Sequence, residues 1–153
     1  MVEYSAVAEQ TVNPGESIVF TTTVVPCRRG LIRHRDGSGN FLLSGWVPRK
    51  PCGCRAGSAS YTCDFGANIA IPDGGTVGPI SVAIAIDGST LPESTMVVTP
   101  AATGDFFNVS RAINLAIWNN CCESVSIRNT SNQPITVSAA NVIFNRPDLA
   151  VTY

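Results

Sequence analysis

The residues able to do chemistry are few, and their spacing is poor for catalysis. The 153-residue chain has one histidine, His34, with eleven acids and six cysteines. Nucleophilic catalysis of the Ser-His-Asp or Cys-His kind needs that imidazole and a partner held within hydrogen-bond reach. Asp36 follows two residues on and shares its strand face, but it sits in a turn, so His34 reads as an exposed or interface strand histidine. Asp64, Asp73, Asp87, Glu93 and Asp105 fall mostly at turns, where a carboxylate bonds its own backbone; a glycosidase-type carboxylate pair is the weaker reading. Gly37-Ser38-Gly39 and Gly74-Gly75 join strand to strand, not strand to helix, and so make no phosphate cradle. The expectation is no catalytic residue, no cofactor and no enzyme.

The cysteines leave three readings open. Cys52-Gly53-Cys54, Cys63 and Cys27 supply four thiols, enough for a tetrathiolate zinc site, although Cys-x-Cys departs from the usual knuckle spacing. A disulfide between Cys52 or Cys54 and Cys63 would instead staple a loop to a strand. Cys121 and Cys122 are adjacent in a strand and must point to opposite faces; they too are disulfide candidates. Free buried thiols are the third reading.

Charge bounds the partners. Only 14% of residues are charged, 44% are hydrophobic and the net charge is −1. A soluble chain so poor in charge is expected to hide surface in an oligomer. Nothing in this balance points to nucleic acid. The positive residues cluster as Arg28, Arg29, Arg33, His34 and Arg35, then Arg49, Lys50 and Arg55. Such a cluster either contacts a phosphate or glycan or forms a solvated face; the first five, with Trp46, are the binding candidates. No apolar run approaches the ~20 residues that span a bilayer. The opening MVEYSAVAEQ lacks the basic and long apolar regions of a signal peptide, so the chain is expected to be made in the cytosol without general export.

The elements that would position these residues read as strands. In Ile80–Ile86, Ile80, Val82, Ile84 and Ile86 alternate with Ser81, Ala83 and Ala85, a period of two. With Phe65–Ile71 and the Pro72-Asp73-Gly74-Gly75 turn this predicts a buried central hairpin. Two strands around Asn13-Pro14-Gly15 are expected before Val25, with Ile18–Val25 inside a sheet because both its faces tolerate burial. Leu31–Arg35 and Phe41–Val47 flank the hairpin signal Asp36–Asn40, and Pro48–Ser60 reads as a loop. Ser94–Thr99, Asp105–Trp118, Cys121–Asn129 and Ile135–Asn145 complete about ten strands with no convincing helix. This is the pattern of an all-β sandwich or jelly roll. One domain is expected over 1–153, its core spanning about 5–146 and a short arm covering 147–153.

GANIAIPDGGTVGPISVAIAIDG, then MVVTPAA, FFNVS and CCESVSIRNTSNQPITVSAANVIF, resembles the globular C-terminal domains of Firmicutes collagen-like proteins and related phage structural proteins. The resemblance implies a ten-stranded jelly roll of the tumour-necrosis-factor and complement globular-head type, assembled as a threefold trimer. It also implies structural, attachment or decoration roles and no enzyme activity. The 153 residues themselves contain no Gly-X-Y repeat, so a free-standing head or one lacking its stalk is expected. The outward faces of Ile18–Val25, Asp105–Trp118 and Ile135–Asn145 are then candidate interfaces, with Tyr61, Phe106, Phe107 and Phe144 as aromatics able to line the axis. The expected role is a homotrimeric decoration, fibre or attachment protein on a phage virion, assembled in the host cytoplasm beside capsid proteins. The alternatives are a bacterial spore- or cell-surface head and a carbohydrate-binding module on a surface glycan, for which Trp46 and Trp118 are candidate platforms. That last alternative rests on fold analogy.

Overall fold

In a computed structural model that describes residues 1–119 and 122–149, the chain folds as two antiparallel β-sheets packed face to face. The twelve strands among those residues are β1 (Val2–Ala6), β2 (Gln10–Val12), β3 (Thr22–Val25), β4 (Ile32–His34), β5 (Phe41–Ser44), β6 (Ser58–Ala70), β7 (Ile80–Ile86), β8 (Ser89–Thr90), β9 (Met96–Val98), β10 (Phe107–Trp118), β11 (Cys122–Asn129) and β12 (Ile135–Asn145). The first sheet runs β10-β6-β12-β1-β3, with β2 also paired to β12. The second runs β4-β5-β11-β7-β8, with β9 also on β7. Two single-turn 3-10 segments, Pro92–Ser94 and Pro147–Leu149, are the helical structure among the described residues.

Alternation along the strands builds the core. From β6, Ala59, Tyr61, Cys63, Phe65, Ala67 and Ile69 point inward and meet Phe41, Leu43, Val82, Ile84, Val125 and Ile127 of the opposing sheet. Phe41 sits at the centre of an aromatic group, with ring centroids 5.2 Å from both Phe20 and Phe144 and 4.9 Å from Tyr4.

Two expectations about the chain path fail. The stretches 65–71 and 80–86 form no hairpin: β6 pairs with β10 and β12, and β7 with β11, β8 and β9, so they lie in different sheets. The turn is real, with Gly75 N–H donating to the Pro72 carbonyl at 2.9 Å, but the connection 71–79 crosses the sandwich. The tight hairpin lies one strand later. Asp87 and Gly88 both have positive φ, 47° and 84°, and turn β7 directly into β8 with Ile86 opposite Ser89. That is the Asp-Gly turn whose twist matches paired strands. Likewise Ile18–Val25 is not one inner strand. Ile18 and Phe20 are fully buried, while β3 begins only at Thr22 and forms the edge of the first sheet.

Candidate functional site

His34 is held too firmly to act as a base. Its Nδ1 lies 3.1 Å from the Asn40 carbonyl oxygen and its Nε2 3.2 Å from that of Phe20. The ring stacks on Phe41 at 4.4 Å between centroids. Both nitrogens face backbone, and Asp36 turns away to accept from the Thr23 hydroxyl at 3.1 Å. The histidine is therefore a half-buried packing residue that joins β4 to its neighbours. Arg28, Arg29, Arg33 and Arg35 are all exposed, and the first two line a concave surface.

That surface is an open groove of about 550 Å³ between the 25–32 segment and the end of β12. Val2, Leu31, Ile32 and Phe144 form its apolar floor, and Arg28, Arg29 and Arg146 supply cations. Arg146, which carries no motif in the sequence, is the organising residue of this end. Its guanidinium forks onto Asp148, with Nε–Oδ1 and Nη2–Oδ2 both 2.7 Å, and Nη2 also donates to the Trp46 carbonyl at 3.1 Å. Its Cζ lies 4.7 Å from the Tyr61 ring centroid, and Nη1 donates to the Tyr61 hydroxyl at 3.3 Å. Burial alone would raise the Asp148 carboxyl, but the hydrogen bond and charge of Arg146 outweigh it and hold it below its ordinary value.

Cys27, Cys52, Cys54 and Cys63 do not converge. Cys52 and Cys54 are joined to each other across Gly53. Cys63 is a free thiol, fully buried on β6, and burial, then the nearby Asp64, push it up to about 12. Cys27 is a free, half-buried thiol at the groove. The expected staple from Cys52 or Cys54 to Cys63 is thus replaced by a bond inside one loop, because the inward face of β6 keeps Cys63 in the core. No group of three or more metal-ligating side chains occurs among the described residues, so Cys27, Cys52, Cys54 and Cys63 do not assemble as a thiolate site. Cys122 lies on the exposed start of β11, and Cys121 lies outside the described residues, as do 150–153 of the expected arm.

Aromatic exposure divides the expected axis residues. Tyr61 and Phe144 are fully buried and cannot line an axis. Phe106, Phe107 and Trp118 are 43%, 42% and 65% exposed. They bracket β10, an edge strand whose outward face carries exposed Ser110, Ala112, Asn114 and Ala116. Trp46 is also exposed, at 47%. Alternation reveals the inward face of β10, Val109, Leu115 and Ile117, but gives no sign that aromatics at its two ends stay uncovered. Asn129 is buried and fully bonded: its Nδ2 donates to the Val12 and Gln133 carbonyls, each at 2.9 Å, and its Oδ1 accepts from Ser131 N–H.

No protein-family model and no curated protein matches the sequence. Among solved structures, the chain is similar to the globular domain of zebrafish complement 1qA, with a TM-score of 0.59 at 11% identity, covering 93% of this chain and 94% of that one. A family 35 carbohydrate-binding module from Clostridium thermocellum aligns more loosely, with a TM-score of 0.35 at 13% identity, covering 90% of this chain and 98% of that one. At these identities the likeness concerns the fold alone. The fold is an all-β jelly-roll sandwich of the complement-head and tumour-necrosis-factor-like type.

Proposed function

We propose that the chain is a non-enzymatic, homotrimeric structural head on a phage particle, serving decoration, fibre or attachment. One observation carries the assembly: an edge strand, β10, paired on one side by β6, is bracketed by exposed Phe106, Phe107 and Trp118 on a chain with only 14% charged residues. Isolated surface apolar residues are ordinary, but large exposed aromatics at both ends of one edge strand, with a smooth small-residue face between them, suit an interface. A closed ring of three needs two different complementary patches. The exposed Thr22, Thr23 and Val24 of β3, at the opposite edge of the same sheet, offer the second. The particle itself is supported by the resemblance of the 65–88 and 106–145 stretches to phage and collagen-like head domains. Light scattering with and without reductant tests the assembly. A mass of three chains in both conditions is expected, and Trp118→Ser is expected to shift it toward one chain. A monomer at micromolar concentration would overturn the reading.

A second reading, a carbohydrate-binding module, is favoured by Trp46 alone. Its ring is exposed while its backbone carbonyl is fixed by Arg146, which suits a stacking platform for a sugar face. Glycan-array binding that disappears with Trp46→Ala would establish it.

A further inference from the structure

A disulfide between residues 52 and 54 fixes almost nothing. It closes the shortest of loops, where a cross-link removes least entropy from the unfolded chain, and it ties no strand to another. The loop between β5 and β6 is closed without it. Lys50 N–H donates to the Cys54 carbonyl at 2.9 Å, and Gly53 N–H donates to the Lys50 carbonyl at 2.8 Å, with Gly53 at φ +79°. Every residue from Pro48 to Gly57 is exposed, both cysteines included. A bond that contributes little to the fold, in a loop that holds its shape independently, and open to solvent has the attributes of a reactive disulfide.

Charge adds direction. Arg49, Lys50 and Arg55 surround the pair, and no acid occurs in the chain between Asp36 and Asp64. Neighbouring cations stabilise a departing thiolate and attract an anionic attacker. The contrast is Cys63, a thiol fully buried under two sheets and closed to solvent.

We propose that Cys52–Cys54 is a thiol–disulfide exchange site that accepts electrons from small anionic thiols. A thiolate R–S⁻ attacks one sulfur, the Cys52–Cys54 bond breaks, and the other sulfur leaves as thiolate while a mixed disulfide with R–S forms. A second R–S⁻ attacks that mixed disulfide, releasing R–S–S–R and the second protein thiolate. The two thiolates take up the two protons that the small thiols lost. The sum is two R–SH and a protein disulfide giving R–S–S–R and a protein dithiol, with two electrons passed to the protein.

The test uses the full chain with thioglycolate (anionic) and cysteamine (cationic), trapping thiols by alkylation and assigning them by peptide mass. Millimolar thioglycolate is expected to open Cys52–Cys54 in the folded protein, with the thermal midpoint moving by no more than about 5 °C. In the variant Arg49→Ser/Lys50→Ser/Arg55→Ser, the ratio of thioglycolate to cysteamine rates is expected to fall roughly fivefold at low salt. A disulfide that resists millimolar thiol until the protein unfolds would overturn the exchange site. So would a large drop in the midpoint on reduction, which would make the bond structural. An unchanged rate ratio would overturn the anionic preference. The variant's circular dichroism checks that it folds, and Cys52→Ser/Cys54→Ser should lose the exchange while keeping the midpoint.

Discussion

Strands β7 and β10 look alike as sequence and end in opposite surroundings. Both alternate branched residues with small ones: Ile80, Val82 and Ile84 against Ala83 and Ala85, and Val109, Leu115 and Ile117 against Ala112 and Ala116. In β7 the small face is covered beyond Ser81, with Ala83 and Ala85 fully buried. Both edges of β7 are also used, by β11 on one side and by β8 and β9 on the other. Between those two short strands Ser94 fills the gap, accepting the Ile84 N–H at 2.8 Å and donating to the Leu91 carbonyl at 2.7 Å. In β10 the small face is open and, among the described residues, only β6 is hydrogen-bonded to it as a strand. The small side chains of β7 thus serve the interior of one protomer, while those of β10 leave a smooth surface on which another molecule can lie. The comparison separates residues that stabilise the fold from residues free to assemble it.

The same substitution on each strand should break this symmetry most strongly. Ala83→Lys places a cation at a fully buried site directly opposite Arg128 and is expected to cost about 4 kcal/mol or more, enough to threaten folding. Ala112→Lys, exposed and opposite Asp64, should change monomer stability by no more than about 0.5 kcal/mol while reducing the mass seen by light scattering. Urea denaturation of both variants checks the first half. Equal losses would mean that the two faces are not different in kind.

Alkaline titration sharpens the interior side. Cys63 is pushed up to about 12, chiefly by burial, and Tyr4 also to about 12 by burial, Cys27 and Asp36. Raised folded values mean that the stabilisation is complete below the unfolded values, near 9 for the thiol and 10 for the phenol, and is lost as pH climbs toward 12. Stability should fall by about 1.4 kcal/mol per pH unit for each group that the unfolded chain has released. Cys63→Ala should remove the part of that slope that begins near pH 9. A flat denaturation midpoint between pH 9 and 11 would contradict the burial of both groups.

A modest effect belongs to the Arg146–Asp148 pair beside the groove. Asp148 has a lowered folded value, so its contribution is present above the ordinary carboxylate range and disappears as pH falls through and below about 4. Asp148→Asn should cost about 1 kcal/mol at neutral pH, as a partly exposed pair does, and should remove that part of the acid sensitivity. A variant as acid-sensitive as the parent would show that the Arg146 fork does not hold this end together.

Alternation along the chain by itself determined where the strands lie and which of their faces is greasy, because a period of two is written into consecutive residues and needs no partner. Thus Phe65, Ala67 and Ile69, like Val125 and Ile127, share one face of their strand whatever that strand pairs with, and the 36–40 turn announces the β4–β5 hairpin. Pairing was another matter. Pro72–Gly75 has turn chemistry whether it closes a hairpin or carries the chain across a sandwich, since a reversal is local and the choice of neighbour is not. For the same reason Ala83 and Ala112 could not be told apart: a small side chain fits both a covered face and an open one. Arg146 gave no signal because its partners, Trp46, Tyr61 and Asp148, come together only when β6, the 45–57 loop and the end of β12 meet. Local periodicity set most of the strands, though not over 18–21; only the long-range burial of one sheet against the other decided which surfaces were left for anything else to touch.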